Sequence, residues 1–329
     1  MADDEHPETL AELGEFAMID RLVDGRWQPP TVLVGPGDDG AVVATADGRV
    51  VVSTDMLIEG RHFRLDWSTP HDVGRKAIAQ NAADIEAMGA AATAFVVAFG
   101  APGDTLGDDA LRLSDGMWEE ARTFGASIVG GDLVAAPQWV ISVTALGDLG
   151  GRVAIPLSGA RPGDTVAVVG GLGRSAAGYA LWLRDIREDI GDFAELRRSH
   201  LVPTVPYGHG RMAADGGATA MTDVSDGLVA DLGHIADASG VGIDLSRAAL
   251  APDHDALVDA ALAADEDPWA WVLGGGEDHA LVATFPGAVP AGWRRIGTVF
   301  AGSARVLVDG VEPTGSAGWQ SFGGPTTTT

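Results

Sequence analysis

No cysteine occurs among the 329 residues, which excludes disulfides, thiolate metal sites and cysteine nucleophiles. Lysine is almost as scarce, with Lys76 the only one. A Walker-type phosphate loop, a lysine Schiff base and a kinase-type β3 lysine motif therefore have almost nowhere to sit. Long apolar runs are missing too: the longest candidates, such as Ala90–Phe99, are about ten residues, against the roughly 18 that a membrane span needs. The opening MADDEHPETL is acidic and polar, unlike a secretory leader with its basic start and apolar stretch. The expected compartment is the cytoplasm. Positive charge is also short. Lys and Arg together number 21 against 47 Asp and Glu, a formal charge of −26. Such a surface repels DNA, RNA and anionic membranes, so neither nucleic acid nor membrane is an expected partner. Most of these carboxylates read as a solubilising exterior.

What remains is ample for a globular enzyme. The apolar fraction is 46%, and the length suits two domains at roughly 100–200 residues each. Apolar residues at helical spacing mark residues 8–24 as an amphipathic helix. Strands are expected at Thr31–Val34, Ala41–Ala44 and Val50–Thr54, a helix over 71–88, a strand at Ala92–Phe99 and a helix at Asp108–Thr123. Ser127–Val129 and Val140–Ala145 read as further strands. Around Leu149–Gly163 the composition shifts to Gly, Pro and Arg, which places the boundary between domains 1–149 and 150–329. The second half is expected to hold strand Thr165–Val169, helix Ser175–Leu183, helix Pro206–Ala214, strand Ala218–Thr222 and helix Leu228–Ala238, with later strands near 280–284, 295–300 and 304–309. Strands and helices mixed in both halves indicate an α/β or α+β architecture. The polar tail 323–329 is expected to be disordered.

The informative feature is where aspartates meet glycines. Gly35–Gly40 (GPGDDG) sets two acids on a tight turn. Val50–Val52 runs into Ser53, Thr54 and Asp55, expected at a strand end. Ile128–Asp132 (IVGGD) reads as strand, two glycines, acid, and Thr222–Gly227 (TDVSDG) sets two acids and a hydroxyl between a strand and a helix start. Acids at strand ends suit magnesium, a hard cation that takes oxygen ligands and shares them with substrate phosphates. Glycines let the backbone approach those phosphates. Singly, each turn has a plainer reading, since Asp and Gly are ordinary turn residues and Ser225 or Asp226 could be helix caps. Four in one chain point to a site for a nucleotide polyphosphate. On the helix over 71–88, Lys76, Gln80 and Asp84 fall four apart and so share a face. An exposed ion pair is the plain reading of that stripe; its alanine and isoleucine neighbours suggest that it faces a site.

Two patterns point elsewhere. Gly171–Ala176 (GLGRSA) fits the dinucleotide fingerprint, but no acid ends a second strand some 20 residues on. Asp185, Glu188 and Asp189 lie in what reads as a charged helical stretch. A sharp strand-to-helix turn is the expected role of that motif. His62 and His279 lack metal-ligand spacing, and His62 reads as a substrate contact.

Taken in order, GPGDDGAV (35–42), VSTDMLIEGRHF (52–63), NAADIEAMG (81–89), GGD (130–132), DVSDGL (223–228) and GGED (275–278) resemble the thiamine-monophosphate kinase family. The resemblance runs from about Gly14 to Phe322. It implies ATP- and magnesium-dependent conversion of thiamine monophosphate to thiamine diphosphate, with several magnesium ions per site. It also implies the two-domain fold shared with aminoimidazole ribonucleotide synthetase, the N-terminal domains pairing their sheets in a homodimer. Carried over by that resemblance, Asp39, Ser53, Thr54, Asp55, Asp84, Asp132, Asp223 and Asp226 correspond to metal positions, Asp55 and Asp132 being the catalytic pair. Gly131, Asp132 and Ser225 correspond to nucleotide contacts, and His62, Glu277 and Trp319 to positions near thiamine monophosphate.

The chain departs from the family pattern at Leu157, where similar proteins carry an arginine expected to touch ATP. Either Arg152 or Arg161 replaces that contact or it is lost. Selenophosphate synthetase and the hydrogenase-maturation relative depend on cysteine or selenocysteine, which excludes them here. Aminoimidazole ribonucleotide synthetase is the remaining alternative within the superfamily. Outside it stand a catalytically dead metal- or nucleotide-binding protein and a nicotinamide oxidoreductase built on Gly171–Ala176.

Overall fold

The computed structural model describes residues 8–36, 41–188, 190–314 and 318. It divides into two units, Met1–Ile85 with Ala90–Gly151, and Glu86–Gly89 with Arg152–Thr329.

The first unit contains α1 (Leu10–Leu13), α2 (Glu15–Val23), β1 (Val32–Val34), β2 (Val42–Val43), β3 (Val51–Ile58), all but the last residues of α3 (Pro70–Ala87), β4 (Ala91–Ala101), α4 (Gly107–Thr123), β5 (Ser127–Ala135) and β6 (Val140–Asp148). The helix expected over 8–24 is broken in two. Thr9 and Glu12 form a reciprocal capping box around α1, and Gly14 then takes φ 75° and starts α2 afresh. β1 and β2 form a small antiparallel pair. The main sheet has the order β3-β6-β4-β5, antiparallel except for β4 with β5.

Alternation gives this sheet two unlike faces. Ile141, Val143 and Ala145 of β6 are fully buried, and a Cβ at Gly147 would lie 2.4 Å from Ile85 of α3, so this is the face that α3 covers. α3 and α4 cross at paired glycines. A Cβ at Gly74 would sit 2.0 Å from the Leu113 carbonyl oxygen, and one at Gly116 2.0 Å from that of His71. On the other face Val52, Met56, Val96 and Val134 are 38–56% exposed, though register aligns them across all four strands.

The second unit contains β7 (Thr165–Val169), α5 (Arg174–Leu183), α6 (Phe193–Leu201), α7 (His209–Asp215), β8 (Ala220–Asp223), α8 (Leu228–Ser239), β9 (Gly242–Leu245), α9 (Arg247–Ala264), α10 (Pro268–Gly274), β10 (Leu281–Phe285), β11 (Arg294–Phe300) and β12 (Arg305–Val308). Its sheet runs β12-β9-β11-β7-β10-β8 and is antiparallel except for β12 with β9. Here both faces are covered. Val166, Val168 and Val282 join one core with α5, α8, α9 and α10, while Ala167, Val169, Leu281, Ala283 and Phe285 join another with Ala213 of α7 and Trp293. This explains why β7 and β10 read as unbroken apolar runs rather than alternating ones. The architecture is α+β. Residues 184–188 form a turn and irregular chain rather than the expected charged helix; the regular helix is α6, further on. Among the described residues no helix is long and apolar enough to cross a membrane.

Candidate active site

In the first unit the strand expected to stop near Thr54 runs on to Ile58, because residues 51–58 pair without interruption with β6. Ser53 and Asp55 therefore lie mid-strand, two residues apart and on the face that meets α3. Ser53 Oγ donates to Asp84 Oδ2 at 2.6 Å, and Gln80 Nε2 donates to Asp55 Oδ2 at 2.6 Å. The buried Lys76 donates from Nζ to the His62 carbonyl oxygen at 2.9 Å. The Lys76, Gln80 and Asp84 stripe is thus no solvated face; it lines β3 and the turn after it. His62 Nδ1 accepts from the Ile58 amide at 3.0 Å, which leaves the proton of a neutral ring on Nε2.

Thr54 and Asp132 are placed differently. Thr54 registers with Thr144, and Asp132 with Ala98, which faces Ser142. Both residues thus belong to the exposed face of the sheet, opposite Ser53 and Asp55. β5 also continues where a turn was expected: Gly130, Gly131 and Asp132 are strand residues paired with Val96, Val97 and Ala98. Gly131 has a packing reason to be glycine, since a Cβ would come 2.1 Å from the Val97 carbonyl oxygen. Asp39 and Trp319 lie outside the described residues.

In the second unit three sequence motifs meet. Asp223 ends β8 and registers with Leu281 of β10. The loops beyond these strands pair through their backbones, Glu277 N donating to the Ser225 oxygen at 2.8 Å and His279 N to the Val224 oxygen at 2.9 Å. Close approach demands the glycines before them: a Cβ at Gly276 would lie 2.5 Å from the Ser225 oxygen. Asp278 is buried and reaches the third motif. Its carboxylate accepts from Gly173 N at 2.5 Å and Ser175 N at 2.8 Å, capping α5. The glycine-rich segment 171–175 is therefore a strand-to-helix turn clamped by the GGED loop. Burial pushes the Asp278 carboxyl up to about 7, against the pull of those two amides. His200 Nδ1 lies 3.2 Å from Ser175 Oγ and 3.5 Å from Glu277 Oε2.

Around Asp223 and Asp226 negative charge accumulates. Asp231, one turn into α8, accepts from the Asp226 and Gly227 amides at 3.1 and 2.9 Å. Burial, then the charge of Asp223 and more weakly that of Asp226, push its carboxyl up to about 7. Asp226, Asp231 and His234 each bring a potential ligand atom within 4.8 Å of the other two. Asp231 and His234 escaped the sequence reading although they stand three apart just after DVSDGL, on one face of α8. The roles of Asp278 and His200 were invisible there, because both depend on partners far along the chain.

These donor sets are dominated by hard oxygens, which fit magnesium, and carboxylates crowded enough to raise a neighbour's pKa are ones that a cation would relieve. Residues 37–149 match the model of the AIR synthase related protein N-terminal domain, and residues 161–308 that of its C-terminal domain. Fold and site together define the chain as a two-domain AIR synthase related protein. It is 70% identical over 317 residues to thiamine-monophosphate kinase of Mycobacterium tuberculosis, covering 96% of this chain and 94% of that protein. The enzyme of the same name from Corynebacterium glutamicum is 43% identical, with 95% of each chain covered. The solved structure of AaThiL complexed with AMPPCP and TMP superposes with TM-score 0.77 at 30% identity, over 96% of this chain and 99% of that one. The chain belongs to the thiamine-monophosphate kinase family.

Proposed function

We propose that the chain transfers the γ-phosphoryl group of ATP to thiamine monophosphate, giving thiamine diphosphate and ADP. The observation that carries this reading is 70% identity across 96% of the chain to a thiamine-monophosphate kinase. The gathering of Asp223, Asp226, Asp231 and Glu277 at one loop junction supports it.

A phosphate oxygen of thiamine monophosphate attacks the γ-phosphorus in line. The new O–P bond forms as the bond to the β–γ bridging oxygen breaks, and ADP leaves with that electron pair. The monoester is already largely ionised at neutral pH, so no general base is needed; positioning and charge neutralisation do the rest. Asp39, Ser53, Thr54, Asp55, Asp84, Asp132, Asp223 and Asp226 would hold magnesium, with Asp55 and Asp132 the residues on which turnover depends most. Bound magnesium would offset the charge between the two phosphate groups and polarise the γ-phosphate. Gly131, Asp132 and Ser225 would contact the nucleotide, and His62, Glu277 and Trp319 the thiamine monophosphate. Arg152 is engaged by Asp215 through two hydrogen bonds, so Arg161 is the better replacement for the arginine missing at Leu157.

A homodimer and a cytoplasmic location belong to the same proposal. The exposed apolar face of the β3-β6-β4-β5 sheet suits a second copy of this chain, and ATP as co-substrate suits the cytoplasm. Incubation with ATP, magnesium and thiamine monophosphate is expected to yield thiamine diphosphate and ADP one for one. ATP consumption that ignores thiamine monophosphate would overturn the assignment.

A further inference from the structure

We propose that His279 is a positioning residue that holds the Asp223 carboxylate for cation binding, an inference that rests on Asp223 being a metal ligand. The two side chains are among the most enclosed polar groups of the second unit, His279 5% and Asp223 6% exposed. His279 Nδ1 stands 2.9 Å from Asp223 Oδ2. An aspartate oxygen only accepts, so Nδ1 carries the proton.

The backbone is shaped to make this contact. His279 takes φ 52°, a left-handed conformation uncommon for any residue but glycine. Pairing on both sides holds it there: His279 N donates to the Val224 oxygen at 2.9 Å, and Val224 N to the Ala280 oxygen at 2.8 Å. The residue sits two before β10, while its target ends the neighbouring strand β8. A non-glycine residue in an uncommon conformation, with a buried imidazole aimed at a buried carboxylate, is the arrangement that orients a ligating group from outside the ligand shell.

The test separates the hydrogen bond from the backbone shape. His279→Asn accepts the left-handed conformation and places an N–H donor where Nδ1 stood; His279→Gly accepts it with no donor. Binding of manganese, read by electron paramagnetic resonance with a non-hydrolysable ATP analogue present, is expected to weaken roughly 10-fold or more in the glycine variant. The asparagine variant should stay near the parent, and KM for thiamine monophosphate should move little in either. Equal manganese affinity in the two variants would overturn the proposal, whether both match the parent or both fall. Should the glycine variant not fold, His279→Ala removes the donor in a residue that takes the left-handed conformation less readily, so its manganese affinity is compared with that of His279→Asn only after the melting temperatures of the two are shown to agree. Asp223→Asn is the control. If that change leaves manganese binding intact, the ligand assignment of Asp223 fails; if it weakens binding while His279→Gly does not, only the present inference fails.

Discussion

In the proposed reaction single carboxylates carry most of the chemistry, and two of them can be told apart by what they do to stability. Asp55 sits mid-strand and half in solvent, its Oδ2 steered by Gln80. Asp55→Asn keeps its shape and its place in β3, so the melting temperature should hold while turnover falls on the order of 100-fold or more, as when a pre-organised electrostatic partner is lost. Near-normal kcat with normal magnesium dependence would remove Asp55 from the catalytic set. Asp278 should behave in the opposite way. Its folded carboxyl stands at about 7 because it is buried, well above the unfolded value of about 3.9. For an acid shifted upward, the stabilisation is complete below the unfolded pKa and is lost as pH rises through the folded one. The swing is up to about 4 kcal/mol. Asp278→Asn never ionises, so the parent should lose stability from pH 5 to pH 8 while the variant does not, and the difference between them should move in the variant's favour. Parallel melting curves across that range would contradict the burial argument.

At the scale of elements, the sequence was legible where one periodicity ran unbroken. β7 matches its expected bounds of Thr165–Val169, and α3, α4 and α8 match theirs within a residue or two. It was misleading where polar residues and glycines interrupt periodicity. Ser53–Asp55 read as the end of a strand and Gly130–Asp132 as a turn, yet both lie within longer strands, because long-range pairing with β6 and β4 outweighs local preference. α9 hid for another reason, since it carries Pro252 and is rich in alanine, which blurs its apolar stripe. The α3–α4 crossing was equally hidden, for nothing local announces that Gly116 lies against the His71 carbonyl. Gly116→Ala should lower stability by about 1–3 kcal/mol, the usual cost of forcing atoms into a filled interface. An unchanged melting temperature would show that the two helices can separate without loss.

For the whole molecule, the motif acids were legible as a set and their grouping was not. Ser53, Asp55 and Asp84 share a face, Thr54 and Asp132 take the opposite one, and Asp223 and Asp226 gather with Asp231 in the other unit. Alternation along β3 separates Thr54 from Ser53 and Asp55, but nothing in the spacing says that Asp84 meets one set and that Asp132 lies on the face of the other. The exposed apolar face of the first unit argues for a partner at this scale. Met56→Asp, which puts a charge on that face, should shift the sedimenting species from dimer to monomer. A parent that sediments as a monomer at assay concentrations would contradict the pairing. The central claim is that cations held by these carboxylates make transfer between two anionic phosphates possible in a chain with one lysine and a charge of −26. The direct measurement is thiamine diphosphate formation from ATP and thiamine monophosphate, first with excess chelator and then with magnesium restored. Product formation should vanish and then return in proportion to free magnesium; turnover that persists under complete chelation would contradict the account.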